Sequence, residues 1–334
     1  MAYTTIDKPS DYFNTVLRSG LYGGSDTAFT VGFQPDWIWD KRRSDTSVHA
    51  LFDSVRGFGA SGKVLYSNTT GAEADNALIK SVSSTGFTIT ASSDNTGTLV
   101  DWCWKKTADA GFNIVGYSGT GSTATVSHGL GVVPSLIILK CRTNANPDWI
   151  VFGKVLGGTV GSEFAKLNNT GAKTTGLDTS WFNQTAPTSS VFTVGTQLDV
   201  NASSNTYIAY CFADVQGYSK FGSYTGNGNN DGTFVYTGFK PAFVMVKNTA
   251  ISEQWSMHDN KRNDNVIPNY ARLVADDSQV EATNTTFAKV ELLSNGFKLG
   301  NSADVINDAS VKFIFMAFAE QPFVTSTGVP TTAR

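Results

Sequence analysis

Histidine and cysteine are the residue types that most often hold metals or act as nucleophiles, and this chain has three of each. The histidines occupy different places in the sequence pattern, whereas a metal site or a catalytic triad needs residues that converge with partners. We therefore interpret them as surface or turn residues. The cysteines lie in apolar, strand-like runs, which is typical of small buried hydrophobic residues rather than disulfides or zinc ligands. The six residues are His49, His128, His258, Cys103, Cys141 and Cys211.

Clustered carboxylates offer a second chemistry, because glycoside hydrolysis needs only two acids at the right separation. Asp276, Asp277 and Glu281 lie within one loop region. A polysaccharide-degrading enzyme is therefore one alternative function for this chain, with these three acids as its candidate catalytic residues.

Two pairs of opposite charge repeat the spacing Asp-x-x-Arg; they are Asp53 with Arg56 and Asp259 with Arg262. Each pair is predicted to brace a turn, and partly exposed pairs of this kind add little stability. The matching place in the middle of the chain holds Gly153 and Leu156. A catalytic role for an Asp–Arg pair that all three matching segments share is therefore excluded.

Sugar binding uses aromatic faces together with amide and hydroxyl groups, and two polar loops contain that combination. Trp181 and Asn183 lie in one loop, and Tyr270 lies in the corresponding loop region further along the chain. We take these three residues as candidates for glycan contact. An exposed aromatic side chain also suits a subunit interface or the cap of a core, and both alternatives stay open.

Two Gly-rich segments resemble ligand loops only loosely. Residues 119–124 match a loose dinucleotide fingerprint but lack the strand and helix that the fingerprint needs on either side. Residues 227–232 are rich in oxygen ligands suited to Ca²⁺ but lack the clustered carboxylates and the terminal glutamate of a strong calcium loop. Both segments are predicted to be turns, and the sequence predicts no metal and no cofactor.

The composition narrows the class of partner. The net charge is −3 and charged residues make up only 16% of the chain, so little is available to neutralise the phosphates of a nucleic acid. The N-terminus lacks the pattern of a signal peptide, and no apolar run is long enough for a membrane span. The chain is expected to be made in the cytosol, with neither nucleic acid binding nor membrane insertion.

The elements that must position these residues recur three times. A Gly-x-x-Pro turn that leads into an apolar strand appears with Pro35, Pro134 and Pro241, which are 99 and 107 residues apart. An apolar pair of strands closes each copy, and its last strand is apolar on both faces, as in a sheet interior. These last strands are residues 99–104, 207–212 and 313–318. We predict the three prolines to be structural turn residues, because a proline at a strand start removes no ladder hydrogen bond.

Each copy reads as six to eight short strands separated by Gly, Asn, Ser and Thr clusters, the pattern of a sandwich or jelly roll. The prediction is an all-β chain of three tandem homologous β-sandwich domains, jelly-roll or lectin-like, each with its own core. Residues 73–81 are the one candidate for a short helix. The predicted N-terminal anchoring arm is residues 1–13, and the predicted C-terminal tail is residues 321–334. Between them lie the three predicted repeats, residues 14–109, 110–217 and 218–320.

Several longer segments resemble uncharacterised tandem β-repeat proteins of marine tailed phages. The similarity rests on the repeated Gly-x-x-Pro turn and on the segments at residues 3–12, 51–57, 201–207 and 217–226. It extends over nearly the whole chain, and it implies a virion component without supplying any catalytic residue. Low charge and abundant Thr, Ser and Asn agree with a surface displayed outside a cell.

The resemblance leads to a functional expectation: a non-enzymatic structural protein of a phage virion, made in the host cytoplasm and displayed on a tail fibre or appendage. The arm would anchor the protein to other virion proteins, the protein would form a homo-oligomer, and its distal loops would meet a host cell-surface glycan. A capsid decoration protein is the alternative within the same class. A shared active site would leave matching polar residues in all three copies, and the expectation is that there are none.

Overall fold

The three sequence copies form three successive sets of strands. The structure is a computed structural model that describes residues 2–20, 25–91, 97–157, 161–262, 271–283 and 288–331. Within these ranges the chain forms 25 strands and two short helices, so the all-β prediction is confirmed. We call residues 13–109 copy 1, residues 110–217 copy 2 and residues 218–322 copy 3, since β1 begins one residue before the predicted first repeat and β25 ends two residues after the predicted third.

The strands follow the same order in each copy. Copy 1 contains β1 Phe13–Ser19, β2 Thr27–Thr30, β3 Trp37–Arg42, β4 Ala50–Asp53, β5 Lys63–Tyr66, β6 Ala74–Asp75, β7 Ile79–Ser83, β8 Gly86–Ile89 and β9 Thr98–Trp104. Copy 2 contains β10 Phe112–Ser118, β11 Ala124–Ser127, β12 Leu136–Cys141, β13 Ile150–Phe152, β14 Glu163–Lys166, β15 Thr174–Thr175, α1 Thr179–Phe182, β16 Val191–Val194 and β17 Thr206–Phe212. Copy 3 contains β18 Ser219–Thr225, β19 Phe234–Tyr236, β20 Phe239–Asn248, β21 Ser256–Asp259, β22 Leu273–Val274, β23 Val290–Leu293, β24 Gly296–Leu299, α2 Asp304–Asn307 and β25 Lys312–Pro322.

Each copy pairs its strands into one large and one small antiparallel sheet. The large sheets have the orders β1-β9-β3-β4-β5-β6, β10-β17-β12-β13-β14-β15 and β18-β25-β20-β21-β22. The small sheets have the orders β2-β8-β7, β11-β16 and β19-β24-β23. The last strand of every copy lies inside the large sheet, between the first strand and the strand that follows the Gly-x-x-Pro turn, as its two apolar faces predict.

The large sheets are buried on both faces because their side chains alternate between two cores. Trp37 and Trp39 point into a central core, whereas Ile38 between them points into the core of its own sandwich. In the same way Trp102 faces the central core and Cys103 faces the sandwich core. This alternation follows from the two-residue period of a strand.

The central core joins the three copies. It contains the inner faces of all three large sheets, with Trp37 of copy 1, Tyr210 of copy 2 and Phe243 of copy 3 among its members. Aromatic rings meet across copies: Trp37 stacks on Tyr210 with centroids 4.6 Å apart, and Phe212 meets Phe318 edge to face with centroids 6.0 Å apart. Each copy does have its own core between its two sheets, but the expectation that the copies are separately cored is wrong for their inner faces. Those faces are apolar and are buried only against one another.

Residues 73–81 do not form the predicted helix. They contribute β6 and the first part of β7, in which Ile79 is the buried residue. The backbone N–H of Glu73 donates to the carbonyl of Arg142 in copy 2, and that of Leu78 donates to the side chain of Asn76. Contacts with a neighbouring copy and a local Asn turn therefore override the weak helical preference of this segment.

The Gly-x-x-Pro turns have a backbone reason for their glycines. Gly32, Gly131 and Gly238 all have positive φ values, of 102°, 74° and 84°. Residues other than glycine rarely adopt this backbone conformation, which explains why each copy has a glycine at this position. Pro35 and Pro134 precede their strands, whereas Pro241 lies inside β20 at a β-bulge, where a missing N–H is also tolerated.

The N-terminal segment packs on its own chain. Ile6 is 3% exposed and belongs to the central core, and the hydroxyl of Tyr3 donates to the carbonyl of Gly238, 2.6 Å away. The side chain of Asp7 accepts hydrogen bonds from the N–H and hydroxyl of Ser326 in the C-terminal segment. The arm was expected to dock on something else or to stay mobile. It docks instead on copy 3, because its apolar side chains complete the central core.

Candidate functional site

The Asp-x-x-Arg pair of copy 1 lies at a contact with copy 2. Asp53 and Arg56 are both fully buried at their side chains, and Arg56 Nε lies 2.5 Å from Asp53 Oδ2. Asp53 Oδ1 also accepts the backbone N–H groups of Val55 and Arg56, which holds the turn after β4. The hydroxyl of Tyr210, from the last strand of copy 2, donates to Asp53 Oδ2 over 2.7 Å. The expected partly exposed brace is therefore a buried contact between copies.

The pair in copy 3 repeats this geometry with copy 1 as the neighbour. Arg262 Nε lies 2.5 Å from Asp259 Oδ2, and both side chains are again fully buried. Trp102 occupies the place of Tyr210, and its indole N–H donates to Asp259 Oδ2 over 2.9 Å. Asp53 and Asp259 are thus each capped by a side chain from the last strand of another copy.

At the remaining contact, between copies 2 and 3, the matching positions hold neither the Asp–Arg pair nor its polar cap. Gly153 and Leu156 stand where the other copies have Asp and Arg, and Met316 stands where they have Tyr210 and Trp102. Leu156 and Met316 are both buried in the central core. An apolar pair stands here in place of a polar cluster, so this position holds no buried charge that needs a partner.

Three matched lysines make a second set of contacts between copies. Lys41, Lys140 and Lys247 occupy the same place in β3, β12 and β20, and each is fully buried. Each ammonium group donates to a carbonyl of another copy: Lys41 to Ser278, Lys140 to Thr70 and Lys247 to Thr170. Burial lowers the pKa of each lysine to about 8. The expectation that no polar residue matches in all copies is therefore wrong.

The direction of these contacts is cyclic. For the lysines, copy 1 reaches copy 3, copy 3 reaches copy 2, and copy 2 reaches copy 1. The two residues that cap aspartates follow the same direction, from copy 1 to copy 3 and from copy 2 to copy 1. Backbone hydrogen bonds repeat the pattern: residues 281, 73 and 173 donate to the carbonyls of residues 43, 142 and 249. Head-to-tail contacts that close after three steps define a ring with pseudo-threefold symmetry.

The three candidate acids of a hydrolase are engaged in this ring or near it. Asp276 accepts the backbone N–H of Trp255 over 2.8 Å, and burial raises its pKa to about 6. Glu281 bridges two arginines: it lies 2.7 Å from Arg43 of copy 1 and 2.9 Å from Arg262 of its own copy. Asp277 accepts a hydrogen bond from the neighbouring Gln279. Asp276 and Glu281 therefore have structural partners.

The three histidines are buried, which corrects their assignment to the surface. All three are 0% exposed. The indole N–H of Trp39 donates to His49 Nδ1 over 2.9 Å, and His258 Nε2 lies 2.9 Å from the hydroxyl of Ser256. Burial lowers the pKa of His49 and of His258 well below the ordinary value, so both rings are neutral. Each ring has a hydrogen-bond partner at one of its nitrogens, and burial of a neutral imidazole costs far less than burial of a charged one.

Metal ligands do not converge in the part of the chain that the structure describes, where no group of three His, Cys, Asp or Glu side chains is close enough to hold an ion. The three cysteines are free and buried. The Asn-rich turn at residues 227–232 is organised by Asn307, whose side chain donates to Asn227 Oδ1 and to the carbonyl of Asn229. Its oxygens are therefore acceptors of hydrogen bonds within the protein.

The candidate glycan loop of copy 2 is built around α1. Trp181 is half-buried and packs on Phe164, with ring centroids 4.4 Å apart. Asn183 is exposed at the end of the helix, with a positive φ of 52°. Tyr270 lies outside the described residues. The structure therefore gives Trp181 a packing role on the copy 2 sandwich, with part of its surface exposed.

A cleft that no sequence pattern indicated lies where the N-terminal segment meets copy 3. It has a volume of about 360 Å³ and is lined by Tyr3, Asp214, Gln216, Lys220 and Tyr236 among others. We call it the Tyr3–Tyr236 cleft. Burial and the neighbouring Tyr236 raise the pKa of Tyr3 above its ordinary value, so its hydroxyl remains protonated. Tyr3 and Tyr236 are 233 residues apart in sequence, which explains why sequence analysis did not bring them together.

The comparisons with known proteins give a family but no function. A family model described as a domain of unknown function, DUF7483, matches residues 8–322, and the chain belongs to this family. The match begins within the N-terminal segment and extends across all three copies. No curated protein matches the chain. In the described residues, no helix has the length and apolar character needed to cross a membrane.

Proposed function

We propose that this member of the DUF7483 family is a non-enzymatic structural protein of a tailed-phage virion that forms a self-closed, pseudo-threefold cap on a tail fibre or appendage. The observation that carries the proposal is the ring of buried contacts between the three copies. A ring that closes within one chain supplies a threefold platform with loops around its rim, which suits attachment to a threefold-symmetric partner.

The contacts made by the buried polar residues support a structural role. Two of the candidate acids for hydrolysis have structural roles. Asp276 accepts the backbone N–H of Trp255, and Glu281 joins two copies through Arg43. The residues that match in all three copies are lysines that tie each copy to a neighbour. Repetition in this chain therefore serves closure of the ring, and the rim loops that diverge between copies are free to meet different partners.

The test is the position and number of copies of the chain on purified phage particles. We expect peptide quantification against the major capsid protein to give at most a few dozen copies, and gold-labelled antibodies to mark the tail. Hundreds of copies spread over the head would replace this proposal with capsid decoration. Absence of the chain from purified particles would refute a virion role altogether.

A separate assay tests the enzyme alternative. The purified protein is incubated with host polysaccharide, and reducing ends are measured over time. No turnover is expected. Release of sugar that is lost in Glu281→Gln while the melting temperature is kept would make the protein a hydrolase and would overturn the proposal.

A further inference from the structure

The outer surface of copy 3 carries two aromatic side chains that the scaffold does not need. On strand β19, Phe234 is 45% exposed and Tyr236 is 58% exposed, whereas Val235 between them is buried. Solvent-exposed aromatic rings of this size are typical of surfaces that bind a partner.

The internal repeat supplies the comparison that shows these rings to be specific to copy 3. The strand register places Phe234 opposite residue 298 and Tyr236 opposite residue 296. The same register places Ala28 and Thr30 at these positions in copy 1, and Thr125 and Ser127 in copy 2. Small residues serve the same strand equally well, so the aromatic rings have a reason outside the fold.

Tyr236 forms one wall of the Tyr3–Tyr236 cleft, and Tyr3 forms another. Tyr3 is held in place because its hydroxyl donates to the carbonyl of Gly238 over 2.6 Å. Between these walls lie a carboxylate, an amide and an ammonium group, from Asp214, Gln216 and Lys220. Asp214 is itself fixed, because it accepts the backbone N–H of Phe221 over 2.8 Å. The volume of about 360 Å³ is within the range of small-molecule sites, about 300–1,000 Å³.

From this geometry we infer that the Tyr3–Tyr236 cleft is a binding site for one pyranose ring of a neutral or N-acetylated glycan. The apolar face of the sugar stacks on an aromatic ring, and its hydroxyls exchange hydrogen bonds with the carboxylate, the amide and the ammonium group. Asp214 lies 3.9 Å from the ammonium group of Lys220 and 3.5 Å from that of Lys154, so charges of both signs meet at the cleft, which favours a neutral sugar over a polyanion. The inference deepens the proposed function, since a glycan site on a displayed protein would serve adhesion to a host surface.

The test is saturation-transfer NMR with the full chain and three probes, the methyl glycosides of glucose, galactose and N-acetylglucosamine. We expect transfer to the ring protons of at least one probe. Tyr236→Ser, which installs the residue of copy 2, should weaken binding about tenfold, equivalent to about 1.4 kcal/mol. Gln216→Ala should weaken it as well, through loss of an amide partner.

Matched variants separate this cleft from other aromatic surfaces. Phe234→Thr, which also installs the copy 2 residue, and Trp181→Ala in the copy 2 loop should leave the transfer unchanged. Melting temperatures confirm that the variants are folded. No transfer to any probe, or undiminished transfer in Tyr236→Ser, would overturn the inference. Detection of the chain on the virion is independent of this result, so the proposed function can stand when the glycan site fails.

Discussion

The buried Asp53–Arg56–Tyr210 cluster allows a direct test of how the copies are joined. Asp53→Ala leaves the guanidinium of Arg56 fully buried and removes the acceptor of the Tyr210 hydroxyl. Removal of one partner of a buried ion pair costs about 3–5 kcal/mol. We therefore expect Asp53→Ala to lower the free energy of unfolding by about 3–5 kcal/mol, measured by urea denaturation followed by tryptophan fluorescence.

The contact between copies 2 and 3 suggests the compensating change. The triple variant Asp53→Ala, Arg56→Leu, Tyr210→Met places similar apolar residues at the contact between copies 1 and 2. Both variants lose the two backbone hydrogen bonds to Asp53 Oδ1, so this loss does not distinguish them. Beyond it, the triple variant loses the stacking of Tyr210 on Trp37, about 0.5–1.5 kcal/mol, and one hydrogen bond from Arg56 to the carbonyl of Leu51, about 1 kcal/mol. The expected loss is about 1.5–2.5 kcal/mol, less than that of the single variant.

The control is an exposed ion pair of the same copy. Asp75 pairs with Lys63, and the Asp75 side chain is 79% exposed, so Asp75→Ala should cost less than about 1 kcal/mol. The reasoning is refuted when Asp53→Ala costs no more than Asp75→Ala, or when the triple variant is less stable than the single one.

Three further outcomes are expected. Asp276 has a pKa of about 6 in the folded protein against an ordinary 3.8, so the contribution of this carboxyl to wild-type stability falls as pH rises through this window. Asp276→Asn installs the asparagine that copies 1 and 2 have at the matching positions, Asn68 and Asn168. It should raise stability by on the order of 1–3 kcal/mol at pH 7, and the gain should vanish near pH 4 in thermal melts. Ile6→Ala should lower the free energy of unfolding by about 2–4 kcal/mol, and a change below about 0.5 kcal/mol would contradict the packing of the arm in the central core. Light scattering of the purified protein should give the mass of one chain, 35.7 kDa, because the ring closes internally, and a trimeric mass would argue against that reasoning.

Much of the fold follows from local pattern. The last strand of each copy has apolar residues on both of its faces, and this pattern predicts a strand that is buried on both faces. The structure assigns the two faces to different cores, as with Trp102 and Cys103. A sequence pattern shows that a face is apolar, but not whether its partner is another sheet of the same copy or a different copy.

The contacts between copies were only partly visible in the sequence. The available sign is a lysine at the same position of three matching strands, Lys41, Lys140 and Lys247, because a cation at a matched buried position requires acceptors from elsewhere. The Asp-x-x-Arg pairs were recognised, but their burial depends on Tyr210 and Trp102, which lie more than 150 residues away in sequence. Local spacing carries no information on such distant partners.

Closure of the ring has a consequence for how the protein is made. Arg43 of copy 1 pairs with Glu281, 238 residues later, and the first copy packs against strand β25 at the end of copy 3. Contacts at such separation form slowly because their loop-closure entropy must be met first. The parts of the inner faces of copies 1 and 2 that pack against copy 3 therefore stay uncovered until translation of copy 3 is complete. Nascent chains truncated before β25 should consequently be retained by chaperones or aggregate.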